Sequence, residues 1–252
     1  MYFQDMRIIA LCIISMFFYF NGLAQQEEIN KDLERAKAEM KKNSTQEKPD
    51  YIKAGRLLEK VVAAMPDNPE AWYFYGYAID RYNSSNGETM LNAQLSLTKK
   101  ASEAFEKAIN LSHDEYKGER LVLDPHTKIL TVWGSQALRY QFEGKTDSSN
   151  WCLREAYLKG GIDNTVLQYF RQVLSECSRN AFLFTNGDMY LYYFAYLQSL
   201  EHFRNDVKCI DLNLLNTKWY PEWLVKKKYL AFIFFCPGTS KTGYSEMGEA
   251  KH

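Results

Sequence analysis

The chain has 252 residues, and its 31 Lys and Arg balance 31 Asp and Glu to a formal net charge of zero. Neutralising a phosphate backbone takes a basic stripe, so this balance disfavours nucleic acid as a partner. The length suits one elongated domain or two small ones.

The first 24 residues read as a signal peptide. Arg7 supplies the positive region, Ile8–Phe20 is apolar apart from Cys12 and Ser15, and Gly22-Leu23-Ala24 offers small residues for cleavage. The apolar run is short for a membrane span, which needs about 20 residues. Cleavage after Ala24 would leave an exported chain with no membrane span, of cell-envelope or periplasmic location. An uncleaved N-terminal anchor is the competing reading. Four cysteines follow: Cys152, Cys177, Cys209 and Cys236. They allow two disulfides in three pairings, or four separate buried thiols, and none has CxxC spacing.

Residues 25–50 read as an N-terminal helix and linker. Ile29, Leu33, Ala36 and Met40 form one narrow apolar stripe, broken at Ser44–Pro49. From residue 51, Ala54, Leu58 and Val61 recur at intervals of four and three, Pro66 stops that helix, and Trp72, Tyr75 and Gly76 follow. This skeleton resembles the tetratricopeptide (TPR) repeat, with its small residues at close helix crossings and its closing Pro. Ala101, Phe105 and Ala108 resemble a second unit. Ala101 stands 29 residues after Trp72, where the repeat would put it about 16 on. Asn83–Gln94 therefore reads as an inserted loop. A weaker third unit is expected from helices at Thr127–Phe142 and Ser149–Lys159, ending at Gly160-Gly161. The repeat-packing residues are thus Ala54, Leu58, Trp72, Gly76, Ala101, Phe105 and Ala108, within a TPR-like region 51–161.

Residues 162–236 read as an α/β cap. Thr165–Ser175 is expected as a helix carrying Val166, Tyr169, Phe170, Val173 and Leu174 on one face. Ala181–Thr185 has the short apolar run of a buried strand. Asn186-Gly187-Asp188 makes a turn, Met189–Phe203 a helix, and Val207–Leu212 a second strand, the order of a parallel βαβ unit. A short helix at Pro221–Lys228 and a strand-like Tyr229–Phe235 follow. Residues 237–252 read as a disordered tail. The fold class expected is mainly α, with irregular TPR-like helix pairs and a small C-terminal βαβ cap.

Within that cap, FLFTNGD, then Tyr196-Leu197-Gln198, then DVKCIDLNLLNTKWY are specific in spelling and spacing. They resemble the soluble segment of a family of multi-spanning proteins classed as predicted protein O-mannosyltransferases, whose pattern runs LFTNGDNDT, WYLQ and RPDVRVVNLSLLNT.WY. The resemblance rests on Phe184, Thr185, Asn186, Gly187, Asp188, Leu214, Leu215, Asn216, Thr217, Trp219 and Tyr220, and it implies a link to glycosyl transfer. Where that family continues Asn-Asp-Thr after the Asp, this chain has Met189-Tyr190-Leu191. A carboxylate and a hydroxyl are thereby replaced, and no positioned base or phosphate-stabilising group is evident.

Parallel neighbouring strands would bring Asn186, Asp188, Asp211 and Asn213 to one crevice, the usual place for a ligand in an open α/β sheet. Amides and carboxylates there suit sugar hydroxyls or a divalent cation. The plainer reading makes Asp188 a helix cap and the others turn residues. Tyr190, Tyr192, Tyr193, Phe194 and Tyr196 offer a stacking platform for sugars, or simply a helix buried on several sides. The four histidines lack ligand spacing, so no metal site is expected. No cofactor is expected either, since neither a P-loop nor a GxGxxG occurs. Two functions remain open. One is an exported, non-enzymatic scaffold that binds a protein or peptide partner in the cell envelope. The other is a glycan-binding or glycosyl-transfer accessory protein using the Asp188/Asp211 crevice.

Overall fold

The computed structural model describes residues 25–45, 50–113, 115–227 and 229, with the side chain of Asp188 outside that set. The signal segment, the linker residues 46–49, residues 230–235 of the strand expected at Tyr229–Phe235, and the tail lie outside the described residues. The protein is mainly helical, with a two-stranded parallel sheet near its C-terminus. Among the described residues, no helix is long and apolar enough to cross a membrane.

Helix α1 (25–44) buries Leu33, Ala36 and Met40. Asn43 then closes the linker: its Nδ2 donates to the Asp50 carbonyl at 2.7 Å, and its Oδ1 accepts from the Asp50 N–H at 3.2 Å. Asp50 in turn caps α2 (Tyr51–Ala64) by accepting from the amides of Ile52 and Lys53. Helix α3 (Pro69–Asn83) starts on an Asn68 cap with Pro69 in its first turn, and it is buried on nearly every side from Ala71 to Ile79. Next come α4 (Leu95–Leu111), α5 (Pro125–Phe142) and α6 (Thr146–Leu158), each packed on its predecessor. The α3–α4 crossing is close because Gly76 faces the Phe105 ring, where an added Cβ would stand 3.0 Å from the ring. Ala54, Leu58, Ala101, Phe105 and Ala108 are fully buried, while Trp72 is half-buried with its indole N–H on the Pro66 carbonyl at 2.7 Å. The interior is also hydrogen-bonded: Trp133 Nε1 donates to Ser102 Oγ at 2.8 Å.

Helix α7 (Asn164–Glu176) leads into β1 (Phe182–Thr185), α8 (Asp188–Leu200), β2 (Lys208–Asp211) and α9 (Trp219–Lys226). The strands pair in parallel, with Phe182 opposite Lys208 and Thr185 opposite Asp211. Helix α8 packs on α5, α6 and α7, so the βαβ unit closes the end of the helical layer, and one apolar core runs from Leu33 to Leu224.

Three local expectations are corrected. β1 is not buried on both faces: Phe182 and Phe184 are 49% and 53% exposed, because the sheet has a helix on only part of its surface. The buried face of α7 is Leu167, Phe170 and Leu174, while Val166 and Tyr169 face outward. Helix α8 stops at Leu200 rather than Phe203, because His202 takes a left-handed φ of 53° and the Phe203 amide folds back to the Leu197 carbonyl.

Candidate ligand crevice at the strand ends

The register that sets Thr185 beside Asp211 brings both strand ends, and the loops that leave them, to one edge. Asp211 lies at the centre and is fully buried. One carboxylate oxygen accepts from Thr185 Oγ1 at 2.8 Å and from the Gly187 amide at 2.9 Å. The other accepts from the amides of Asn213 at 3.0 Å and Leu214 at 2.9 Å. Its own N–H donates to the Tyr220 hydroxyl. Four donors converge on one carboxylate, so a charge that would be costly in isolation instead ties β1, the turn at Gly187 and the loop after β2 together. Gly187 has φ +133°, a conformation that side chains rarely adopt.

Asn186 and Asn213 are exposed beside this hub. Asp188 opens α8, and its side chain lies outside the described residues. The edge therefore presents two amides to solvent, while Asp211 is committed to structural bonds. A ligand drawing on Asp211 would have to displace donors already in place.

The loop joining α3 to α4 borders the same crevice. Trp219 Nε1 donates to the Gly87 carbonyl and the Lys218 amide donates to Glu88, both at 2.9 Å. A Cβ on Gly87 would stand 3.0 Å from Leu214. Between loop and module lies a cleft of about 340 Å³, lined by Asn86, Glu88, Asn213, Asn216 and Thr217. A larger cavity of about 500 Å³ separates α5 and α6 from α8, β2 and α9, with Leu138, Asn150, Ser199 and Trp223 on its walls.

Residues 167–232 match the family model of TMEM260-associated domain 2. Comparison with curated proteins and with solved structures gave no match. The matched span holds the whole stretch from Asn180 to Tyr220 and is about a quarter of the chain.

Inside the matched module, the residues that carry its spelling have structural work to do. Tyr196 stacks on Tyr157 with ring centres 5.4 Å apart, Leu197 is fully buried, and Gln198 Nε2 donates to the carbonyls of Arg204 and Val207, each at 2.9 Å. Of the aromatic run, Tyr192, Tyr193 and Phe194 are buried, and Phe170 stacks on Tyr193 at 4.7 Å. Tyr190 is the most open of them, at 41%.

One clamp escapes the reading from sequence. Arg204, at a left-handed φ of 51°, holds Asp206 with two parallel bonds of 2.8 and 2.9 Å and donates to the carbonyls of Leu174 and Ser178. Asp206 also accepts from the Asn180 amide. The Arg204 fork, helped by that amide, holds the Asp206 carboxyl well below the usual range. The available signal was an Arg two residues before an Asp, in Arg204-Asn205-Asp206.

Among the described residues, no group of three or more His, Cys, Asp and Glu could hold a metal ion. Cys152, Cys177 and Cys209 are free thiols, and Cys236 lies outside the described residues. Burial pushes the Cys152 and Cys209 thiols up to about 12, which removes the thiolate that nucleophilic chemistry needs.

Proposed function

We infer that this chain is an accessory component of a glycosyl-transfer system, engaged through the module at residues 167–232. The observation that carries the reading is the match to TMEM260-associated domain 2, TMEM260 being described as O-mannosyltransferase-like. An accessory role suits a module whose central carboxylate is saturated by structural hydrogen bonds and whose Cys209 thiol is pushed up to about 12 by burial. The exposed pair Phe182 and Phe184 on β1 gives this module an apolar face for a protein of that system. The setting we propose is the cell envelope, consistent with the signal-like N-terminal segment. The test is capture of the full chain from its own envelope fraction, followed by identification of the partners. Glycosyl-transfer proteins should be enriched, and Phe182→Asp with Phe184→Asp should release them. Equal recovery by both forms, or no such protein at all, would end this reading. Calorimetry with sugar nucleotides would separate direct ligand binding at Asn186 and Asn213 from a purely protein-borne role.

A second reading is a scaffold that takes a protein or peptide on the TPR-like helical layer. The groove between α3 and α5, rimmed by the 70%-exposed Val122, favours it. Val122→Asp should then abolish partner capture while the Phe182/Phe184 variant keeps it.

A further inference from the structure

Strand β1 is an edge that its own sequence does not protect. Its residues, Phe182–Thr185, carry no charge, no Pro and no bulge, the devices by which proteins usually blunt an exposed edge. Among the described residues the sheet has two strands, so β2 lies on one side of β1 and no strand on the other. The Lys208 amide donates to the Ala181 carbonyl at 2.8 Å, and the Leu212 amide to the Thr185 carbonyl at 2.9 Å. A strand turns alternate residues toward each neighbour, so the backbone groups of Phe182 and Phe184 point to the open side. Their side chains share one face, where the cover stops between the strands. Ile210, opposite Phe184, is fully buried, while Phe184 is 53% exposed and Phe182 49%.

The same edge of a second copy fits this one. Phe-Leu-Phe reads alike in both directions, so two β1 strands running antiparallel about a twofold axis at Leu183 set Phe182 of each copy against Phe184 of the other. These are the residues whose backbone groups point outward. The pairing therefore closes their hydrogen bonds and gathers the phenyl rings of both copies on one face. No charged side chain stands on β1 to oppose its copy, and a formal net charge of zero sets no long-range repulsion against self-association. We propose that two copies of this chain associate through β1 into one sheet of order β2-β1-β1-β2. The contact is short, so the dimer is a weak one. It does not rest on the glycosyl-transfer reading, although a second copy and an envelope partner compete for the same rings.

Sedimentation of the purified full chain reads the association. The mean mass should rise with concentration from one chain toward two and no further, because a twofold contact closes on itself. Phe182→Lys with Phe184→Lys sets like charges opposite one another and should weaken the dimer at least about tenfold, with an unchanged circular dichroism spectrum. Phe182→Glu with Phe184→Glu should do the same alone. An equimolar mixture of the two variants should pair again, since each Lys then faces a Glu. A monomer at every concentration, growth beyond two chains, or a mixture that stays monomeric overturns the proposal. Association that persists undiminished in the Lys variant overturns it as well, and moves the contact to another surface such as the apolar run Ile8–Phe20, which every variant keeps. Capture from the envelope needs a foreign protein and sedimentation needs none, so either reading can fail without the other.

Discussion

The Trp219 indole N–H donates to the Gly87 carbonyl at 2.9 Å across 132 residues of sequence. The bond fastens the loop that interrupts the helical layer to the polar end of the βαβ module. Lys218 and Glu88 repeat the link one residue away on each side. Trp219→Phe keeps the ring that packs edge-on against Phe142 and removes only the donor. The expected loss is about 1 kcal/mol in urea unfolding, with faster amide exchange in residues 84–94. Unchanged exchange there would mean that the loop is held without this bond.

Asp211 is the second target. Asp211→Ala strands the Thr185 hydroxyl and three amides, and about 3 kcal/mol or more should be lost. Asp211→Asn keeps one acceptor but turns an N–H toward donors, so it should cost an intermediate amount. Denaturant titration ranks the three proteins. Equal stability of wild type and Asp211→Ala would return this carboxylate to the list of ligand groups.

Gly134 sets the distance between α5 and α8, since an added Cβ would overlap the Tyr192 ring. Gly134→Ala should therefore destabilise by about 1–3 kcal/mol through overpacking. A smaller side chain at position 192 makes room, so Gly134→Ala in a Tyr192→Leu background should cost less than in the wild type. A double-mutant cycle reads that coupling directly, and additive costs would contradict the contact.

The elements were largely readable because each carries a local signal. Pro66 and the Asn68-Pro69 pair punctuate α2 and α3, and the polar run after Asn83 marks the connection that ends at Gln94, before α4. The alternation of apolar run, Gly-Asp turn and helix gave the parallel βαβ unit. What stayed hidden depends on partners distant in sequence. Nothing around Gly87 says that Trp219 will meet it, and an isolated Asp211 looks as able to hold a sugar as to gather four donors. The outward set of Phe182 and Phe184 was equally silent, because a five-residue apolar run does not reveal how many faces of its strand are covered.

Cys152 offers a check on burial. Its side chain is fully buried and its thiol is pushed up to about 12. In the native protein at pH 8 it should resist alkylation over hours and react within minutes in denaturant. Mass spectrometry of labelled peptides separates it from Cys177, which is only half-buried. Fast native labelling at Cys152 would mean that α6 opens readily.

The acid limb of stability should depend on Glu119. Lys41 hydrogen-bonds its carboxylate at 2.5 Å and Lys37 at 3.1 Å, and chiefly through Lys41 the carboxyl is held below its ordinary value of 4.5. A carboxyl with a lowered folded value binds its proton more readily when unfolded. Its stabilisation is therefore complete above about pH 4.5 and is lost as pH falls through the folded value. Lys37 works at the other end. Burial opposes its charge, but Glu34, Glu119 and Glu70 outweigh that and raise it, so its contribution holds up to the ordinary lysine range and is lost only as pH rises through the raised value. Between pH 5 and 3 the melting temperature of the wild type should fall. Glu119→Gln should start lower at pH 6 and fall less steeply. Some slope should persist, because Glu59 and Glu143 are lowered by their own Lys and Arg partners. Parallel curves for the two proteins would exclude Glu119 as a source of acid sensitivity.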